Sequence, residues 1–267
     1  MARFINKKVA ILYICTGNYT IFWENFYASF SQFFLPGYEK QYFIFTDSNN
    51  PSLRKGDNVH LIYQKKLGWP YDTLFRFRMF YGIDDQLNDF DYIFFFNANM
   101  ICLQNIDESI LPNHEEQLVV VKHPGFFDKE RSSYTYETNP LSKAYIPHEK
   151  GEYYFMGGFN GGIGKYYREL VKTLKENIDY DLQKNKLVAI WHDESHLNQY
   201  MVNKTPKILT PAYGYPEGVE LPFEKKIIIL DKNLFGGHDV MRGIKPKRMF
   251  IDKIKKLIRF LNIANND

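Results

Sequence analysis

Trp191-His192-Asp193-Glu194 packs an aromatic ring, an imidazole and two adjacent carboxylates into four residues. A carboxylate held beside an electrophilic carbon can act as a nucleophile, or it can stabilise a developing oxocarbenium ion. The same four residues also suit a helix N-terminus, where Asp193 and Glu194 would complement the dipole and His196 would be a surface group. Asn97-Ala98-Asn99 closes a run of apolar residues. Two Asp at that spacing would hold a divalent cation, whereas neutral Asn side chains are far weaker ligands; the segment also fits a polar turn that ends a strand. Gly157-Gly158-Phe159-Asn160-Gly161-Gly162 places four glycines in six positions. That composition lets backbone approach a ligand closely, or simply turns the chain. It is not a G-x-G-x-x-G fingerprint, and no P-loop pattern occurs elsewhere. His123 and His192 lie outside any H-E-x-x-H or Cys/His cluster, so hydrogen bonding is the expected role of each.

These segments need elements to position them. Lys8 to Ile14 is a short apolar run that ends at a turn, Cys15 to Tyr19, and reads as a strand followed by a loop. Helical spacing follows from Thr20 to Phe34. Gln41 to Thr46 and Val59 to Tyr63 read as strands. Thr73 to Leu87 reads as a helix capped by Asp72 or Thr73. Asp91 to Phe96 is almost wholly apolar, as strands covered on both faces of a parallel sheet are. Alternating strands and helices predict an α/β fold with a mainly parallel central sheet. Ligands of such sheets sit beyond the carboxyl ends of the strands, where Thr16 to Tyr19 and Asn97 to Asn99 both fall.

The 267 residues suffice for one large domain, and 45% hydrophobic with 24% charged residues is ordinary for a globular protein. Aromatics reach 17%, which suits a ring-rich core or clefts where sugars stack. Cys15 and Cys102 are the only cysteines; a disulfide framework is excluded and a reducing compartment expected. No charged-then-apolar leader opens the sequence, and the expected location is the cytoplasm. From Ile244 to Asp267 seven Lys or Arg oppose two Asp, while the whole chain carries +3. A mildly acidic body with a basic tail argues against a nucleic-acid binder. On a helical wheel the tail places Phe250, Ile251, Ile254, Leu257, Ile258 and Leu261 on one face, opposite Arg248, Lys253, Lys255, Lys256 and Arg259. That pattern suits a helix at an anionic membrane surface, or one packed on the protein body.

Taken in order, the segments ILYICTGNY, GWPYDTLFRF, FFFNAN, HPGFF, TYE, AYIP, YYFMGGFNGG, WHDESHLNQY, TPAYGYPEG and DKNLFGGHDVMR resemble glycosyltransferase family 6. That family includes the histo-blood-group A and B transferases, the α1,3-galactosyltransferases and shorter bacterial relatives. The NAN sequence in place of a metal-binding DxD is most similar to the bacterial, metal-independent subgroup. The resemblance implies a GT-A fold and retaining transfer of GalNAc or Gal from UDP, α1,3, to a galactose-terminated glycan, fucosylated or not and lipid-linked or free. It implies no cofactor and no metal. By matching motif, Cys15, Thr16 and Tyr19 should lie by the uracil. Arg76, Asn97 and Asn99 should face the donor sugar and diphosphate, with Met156, Gly157 and Gly158 also on the donor. Lys232 and Arg242 should neutralise the leaving diphosphate. His123, Thr135 and Trp191 should meet the acceptor. Asp193 should hold the donor sugar and Glu194 face the reacting carbon and acceptor, as nucleophile or ion-pair stabiliser. Gly158 matches the GalNAc-using form of the blood-group relatives, so UDP-GalNAc is the expected donor; Met156 matches the galactose-using form. The expected organisation is one catalytic domain over 1–243, with a donor-binding half of about 8–110 and an acceptor half of about 111–243, followed by the tail, 244–267. The alternatives are a UDP-Gal-using enzyme of the same fold, or a non-catalytic glycan-binding protein.

Overall fold

The computed structural model describes residues 7–243. The basic tail from Ile244 onward, with its expected membrane helix, lies outside the described residues. In chain order the elements are β1 (Lys8–Ile14), α1 (Trp23–Phe33), β2 (Glu39–Thr46), β3 (Val59–Tyr63), α2 (Tyr71–Leu74), α3 (Arg76–Tyr81), β4 (Tyr92–Phe96) and β5 (Met100–Cys102). There follow β6 (Leu118–Lys122), β7 (Phe155–Ile163), α4 (Gly164–Tyr180), α5 (His192–Met201), β8 (Lys207–Leu209), β9 (Tyr215–Pro216), β10 (Ile227–Ile229) and α6 (Gly237–Met241).

Seven strands form the main sheet in the order β3-β2-β1-β4-β7-β6-β8. All neighbours are parallel except β7, which runs antiparallel to both β4 and β6. The expected α/β architecture with a mainly parallel sheet is therefore present. β1 and β4 are continuous apolar runs because both faces of the sheet are covered. Val9, Ile11 and Tyr13 of β1, with Phe94 and Phe96 of β4, pack on the α1 side among Trp23, Phe26 and Phe30. Ala10, Leu12, Ile93 and Phe95 pack on the opposite side, under Phe77 and Phe80 of α3 and Tyr167, Leu170 and Leu174 of α4. The buried α4 residues recur at helical spacing, giving the helix one apolar stripe. A second sheet, β5-β10-β9, lies beyond the end of β4.

Three local expectations change. Thr20 to Phe34 is not one helix, because a 3₁₀ turn over Gly17–Phe22 precedes α1. The helix expected over Thr73 to Leu87 breaks into α2, α3 and a 3₁₀ turn at Asp84–Leu87. Asp72 caps neither helix; its carboxylate instead accepts from the amides of Leu67 and Gly68 at 2.7 and 2.9 Å. The break at Phe75 starts α3 at Arg76, whose side chain is buried rather than on a solvent face.

The glycine run is neither loop nor turn: it forms the centre of β7. Its small residues serve close packing. A Cβ on Gly161 would stand 2.8 Å from the Ile93 carbonyl oxygen, and one on Gly162 2.6 Å from that of Gln117. Adjacent strands could not close to sheet spacing over such atoms.

Candidate active site

β1 and β4 are neighbours in register, Tyr13 opposite Phe96, so their carboxyl ends bring Thr16 to Tyr19 alongside Asn97 to Asn99. A cleft of about 250 Å³ opens there, and Thr16, Tyr19, Arg76, Asn97, Asn99, Lys232 and Arg242 line it. The strand ends supply one wall. The loop before α2, with Lys66 and Trp69, and the segment running into α6 supply the others. Asn99 joins that segment to the sheet: its Nδ2 donates to the Leu230 carbonyl at 2.7 Å, and its own carbonyl accepts from the Leu230 amide at 2.8 Å. Asn18 Nδ2 donates to the Val240 carbonyl at 2.7 Å and holds α6 against β1's turn.

The cleft is cationic. Lys66, Arg76, Lys232 and Arg242 all line it, and Asp72 is the one carboxylate among the lining residues. Burial first, then Arg242 and Arg76, hold the Lys232 ammonium below the usual lysine range. Its Nζ lies 5.3 Å from the Tyr19 ring centroid, and the Arg242 guanidinium 4.7 Å from that of Trp69. Cations crowded at partial burial raise one another's energy, and an anionic ligand would relieve it.

Arg76 forms the floor. Its guanidinium stacks 4.1 Å from the Phe95 ring centroid and donates to the Gly157 carbonyl at 2.6 Å and to Asn97 Oδ1 at 3.4 Å. It also pairs with Asp193 Oδ2 at 2.7 Å. The Asp193 carboxylate is wholly buried, and burial raises it to about 6 against the pull of Arg76. Neither of its oxygens completes a hydrogen bond among the described residues.

Glu194 sits one residue on, in the first turn of α5. Its Oε2 accepts from the Gly157 amide at 2.6 Å and its Oε1 from the Tyr154 hydroxyl at 3.0 Å. Burial raises this carboxyl to about 7, with the Gly157 amide pulling the other way. Gly157 thus presents its amide to Glu194 and its carbonyl to Arg76. Asn198, one turn further along α5, fixes this register by pairing with the Phe155 amide and carbonyl, both at 2.8 Å. A helix N-terminus and a chemical site are here the same feature. His196, by contrast, is fully buried rather than a surface group.

Beyond Tyr154 lies an aromatic wall. His123 Nδ1 accepts from the Gly125 amide at 3.0 Å, which leaves the ring proton on Nε2, and burial lowers its pKa to about 4. Its ring packs edge-on to Tyr154, and Phe126 packs against both. Thr135 neighbours the Tyr154 hydroxyl. Trp191, N-terminal to α5, is 47% exposed and offers an open face. His192 adopts φ +55° at the start of α5 and packs edge-on to Trp69, so the cleft and the α5 N-terminus share one rim.

Most of the sequence-predicted residues therefore come together. Thr16, Tyr19, Arg76, Asn97, Asn99, Lys232 and Arg242 line the cleft. Asp193 and Gly157 adjoin it through Arg76, Glu194 through Gly157, and His123 and Thr135 lie on the aromatic wall beyond, whereas the Cys15 and Met156 side chains pack in the core on the α1 side. Strand alternation explains Cys15, since Ile14 and Thr16 on either side of it reach the cleft. Gly158 lies beneath Asn97, and a Cβ there would stand 2.6 Å from Asn97 Nδ2 and 2.9 Å from Met156 Cε. Sequence reasoning singled out neither Tyr154, Asn198, Lys66 nor Trp69. Tyr154 lies within the YYFMGGFNGG segment, but only the packing of α5 against the start of β7 brings its hydroxyl to a carboxylate.

A family model described as glycosyltransferase family 6 matches residues 2–234. The O-antigen biosynthesis glycosyltransferase WbnI of Escherichia coli is 37% identical over 224 residues, covering 84% of this chain and 94% of that protein. Histo-blood group ABO system transferase 1 of Rattus norvegicus is 32% identical over 220 residues, 79% of this chain and 62% of the rat protein, so the chain spans less than two thirds of that relative. Globoside alpha-1,3-N-acetylgalactosaminyltransferase 1 of Gallus gallus is 30% identical over 244 residues, 86% of this chain and 68% of its own length.

Proposed function

The chain belongs to glycosyltransferase family 6, and we propose that it transfers GalNAc from UDP-GalNAc to a galactose-terminated glycan, α1,3 and with retention, without a metal ion. A nucleotide-sugar donor and a glycan acceptor follow from the family; the specific pair is our inference. The observation that carries it is the position of Glu194. This carboxylate is held by two hydrogen bonds between a cationic cleft suited to a diphosphate and an aromatic wall suited to a sugar acceptor.

In this reading Thr16 and Tyr19 bound the uracil end of the cleft, with Cys15 and Met156 supporting from the core. Lys232, Arg242 and Lys66 take the diphosphate, whose charge grows as its bond to the anomeric carbon breaks. Asp193, with unsatisfied oxygens, holds the donor-sugar hydroxyls. Glu194 faces the anomeric carbon on the side opposite the leaving group and meets the developing positive charge, by covalent attachment or as an ion pair. His123 Nε2–H and Thr135 hold the acceptor galactose, and the Trp191 face stacks on it. The metal-free part rests on the donor set: Asn97 and Asn99 are neutral, Asn97 Oδ1 faces a guanidinium, and Asn99 Nδ2 is engaged by Leu230. Such a pair is a poor cation site. We also place the enzyme in the cytoplasm, with its basic tail against the membrane.

The choice of GalNAc rests on Gly158 and competes with UDP-Gal, which Met156 favours by resemblance. A mass-spectrometric screen of both donors against fucosylated and unfucosylated β-galactosides, in excess EDTA, tests the proposal. Transfer from UDP-GalNAc is the expected product. Transfer only from UDP-Gal would replace the donor, and activity lost to EDTA and restored by Mn²⁺ would remove the metal-free reading. Absence of both transfer and UDP-sugar hydrolysis would favour a glycan-binding protein.

A further inference from the structure

Two acidic side chains away from the cleft tie the loop that carries Thr135 to the segment that carries Trp191. Glu137 is 8% exposed, and each carboxylate oxygen accepts one backbone amide. Oε1 takes the Asn139 amide and Oε2 the Ile190 amide, both at 2.8 Å. Glu137 follows Thr135 by two residues, and Ile190 immediately precedes Trp191. Asp181 makes the second tie. Its carboxylate accepts from Ser142 Oγ at 2.6 Å and the Lys143 amide at 2.9 Å, while its carbonyl accepts from the Leu187 amide at 3.0 Å. Asp181 thus holds the start of the segment and Glu137 its end.

Between the two ties Ala189 is buried, while Val188 is 42% and Ile190 55% exposed. Trp191 itself adds an amide bond to Ser195 Oγ within its own turn. Among the described residues, the Glu137–Ile190 bond is the hydrogen bond that fixes the backbone entering Trp191 to the opposite wall.

We infer that Glu137 is a positioning residue for acceptor recognition: it sets the spacing between Thr135 and Trp191 and hence the affinity for the galactoside, touching neither substrate. The inference rests on the proposed acceptor wall. Its chemistry needs a carboxylate. Two amide donors converge on it from different elements, and Gln would offer one acceptor and set its own NH₂ against the second amide.

Glu137→Gln should raise the acceptor KM roughly 10- to 100-fold, the scale of one lost charge-assisted hydrogen bond. It should leave kcat at saturating acceptor, the donor KM and acceptor-free UDP-sugar hydrolysis within about twofold of wild type. In a Trp191→Ala background the same substitution should add little, because the residue it positions is gone. Calorimetric titration with a β-galactoside gives a readout independent of turnover. Wild-type binding without transfer would defeat the functional proposal while still allowing Glu137 to be judged by weakened binding. An unchanged galactoside affinity in Glu137→Gln overturns the inference. So does a full additional loss in the Trp191→Ala background, or a parallel fall in donor hydrolysis. Should Glu137→Gln fold poorly, Glu137→Asp provides the same comparison with both acceptors retained and reach shortened.

Discussion

Arg76 and Asp193 form an ion pair at 2.7 Å with both side chains nearly removed from solvent, yet neither Asp193 oxygen completes a hydrogen bond among the described residues. A carboxylate so placed is held in position by charge and left with acceptor capacity to offer a ligand. Arg76 also donates to Gly157 and Asn97, so the two ends should fail differently. Arg76→Ala strands a buried carboxylate and should cost about 3–5 kcal/mol in urea denaturation. Asp193→Asn should cost clearly less, because Arg76 keeps Gly157 and Asn97, while kcat/KM for the donor falls roughly 10- to 100-fold. Equal stability losses in the two variants would contradict this asymmetry.

Tyr154→Phe should move the acid limb of the pH–rate profile. The Tyr154 hydroxyl donates to Glu194 Oε1 and so favours the ionised form. Wild-type activity should rise with pH through about 7, where the Glu194 carboxyl titrates. Without the hydroxyl the limb should shift upward by about one unit, with lost rate recovered near pH 8.5. A profile that drops uniformly at all pH values would deny Tyr154 this role.

Stability of the ligand-free protein should fall as pH rises from 6.5 to 8. Burial raises the folded-state Asp193 and Glu194 carboxyls to about 6 and 7, above their usual 3.8 and 4.5. A raised group contributes stability below its unfolded pKa and loses it as pH climbs through the folded value. His123 and His196 are lowered by burial to about 4, so they act oppositely, but only below about 6.5. Glu194→Gln should therefore flatten the decline between pH 6.5 and 8 while nearly eliminating transfer. Thermal denaturation of the two proteins across that range measures it; matching slopes would mean Glu194 is already ionised in the resting fold.

Gly158→Ala should change donor preference through Asn97. The new methyl would press on Asn97 Nδ2 and Met156 Cε, both ends of side chains able to move. Displacing Asn97 narrows the donor-sugar side of the cleft, where GalNAc is the larger ligand. A shift of roughly 5- to 150-fold toward UDP-Gal in relative kcat/KM is expected. Equal losses with both donors would show that the glycine serves packing alone.

Lys232→Ala should lower kcat by roughly 10- to 1000-fold if the ammonium stabilises the leaving diphosphate. Burial, with Arg242 and Arg76 nearby, already holds its pKa down, and a bound diphosphate would oppose that shift. The defect should be shared by transfer and by acceptor-free hydrolysis, since both break the same bond. A defect confined to transfer would move Lys232 from the donor to the acceptor.

The apolar runs of β1 and β4 and the polar segments after them were legible in the sequence, because a strand buried on both faces must be continuously apolar and must end where a site begins. The motif order likewise pointed to the family before any geometry. Motif resemblance puts Cys15 beside Thr16 and Tyr19 without saying which way each side chain points; the packing of β1 turns the Cys15 thiol into the core and its neighbours Ile14 and Thr16 to the cleft. Nor could local pattern show that the glycine run is a central strand, since four glycines look like a turn until Phe94 and Gln117 are packed against them. The helix over Thr73 to Leu87 breaks at Phe75, and Arg76 there meets partners just after β4, in β7 and in α5, contacts that no local propensity encodes. Glu137 and Tyr154 were invisible for the same reason: each acts through a hydrogen bond spanning 40 or more residues, Glu137 to Ile190 and Tyr154 to Glu194. Sequence determined the chemical groups and the strands that end beside them; which groups converge was decided only by tertiary packing, because convergence is a property of distant segments meeting.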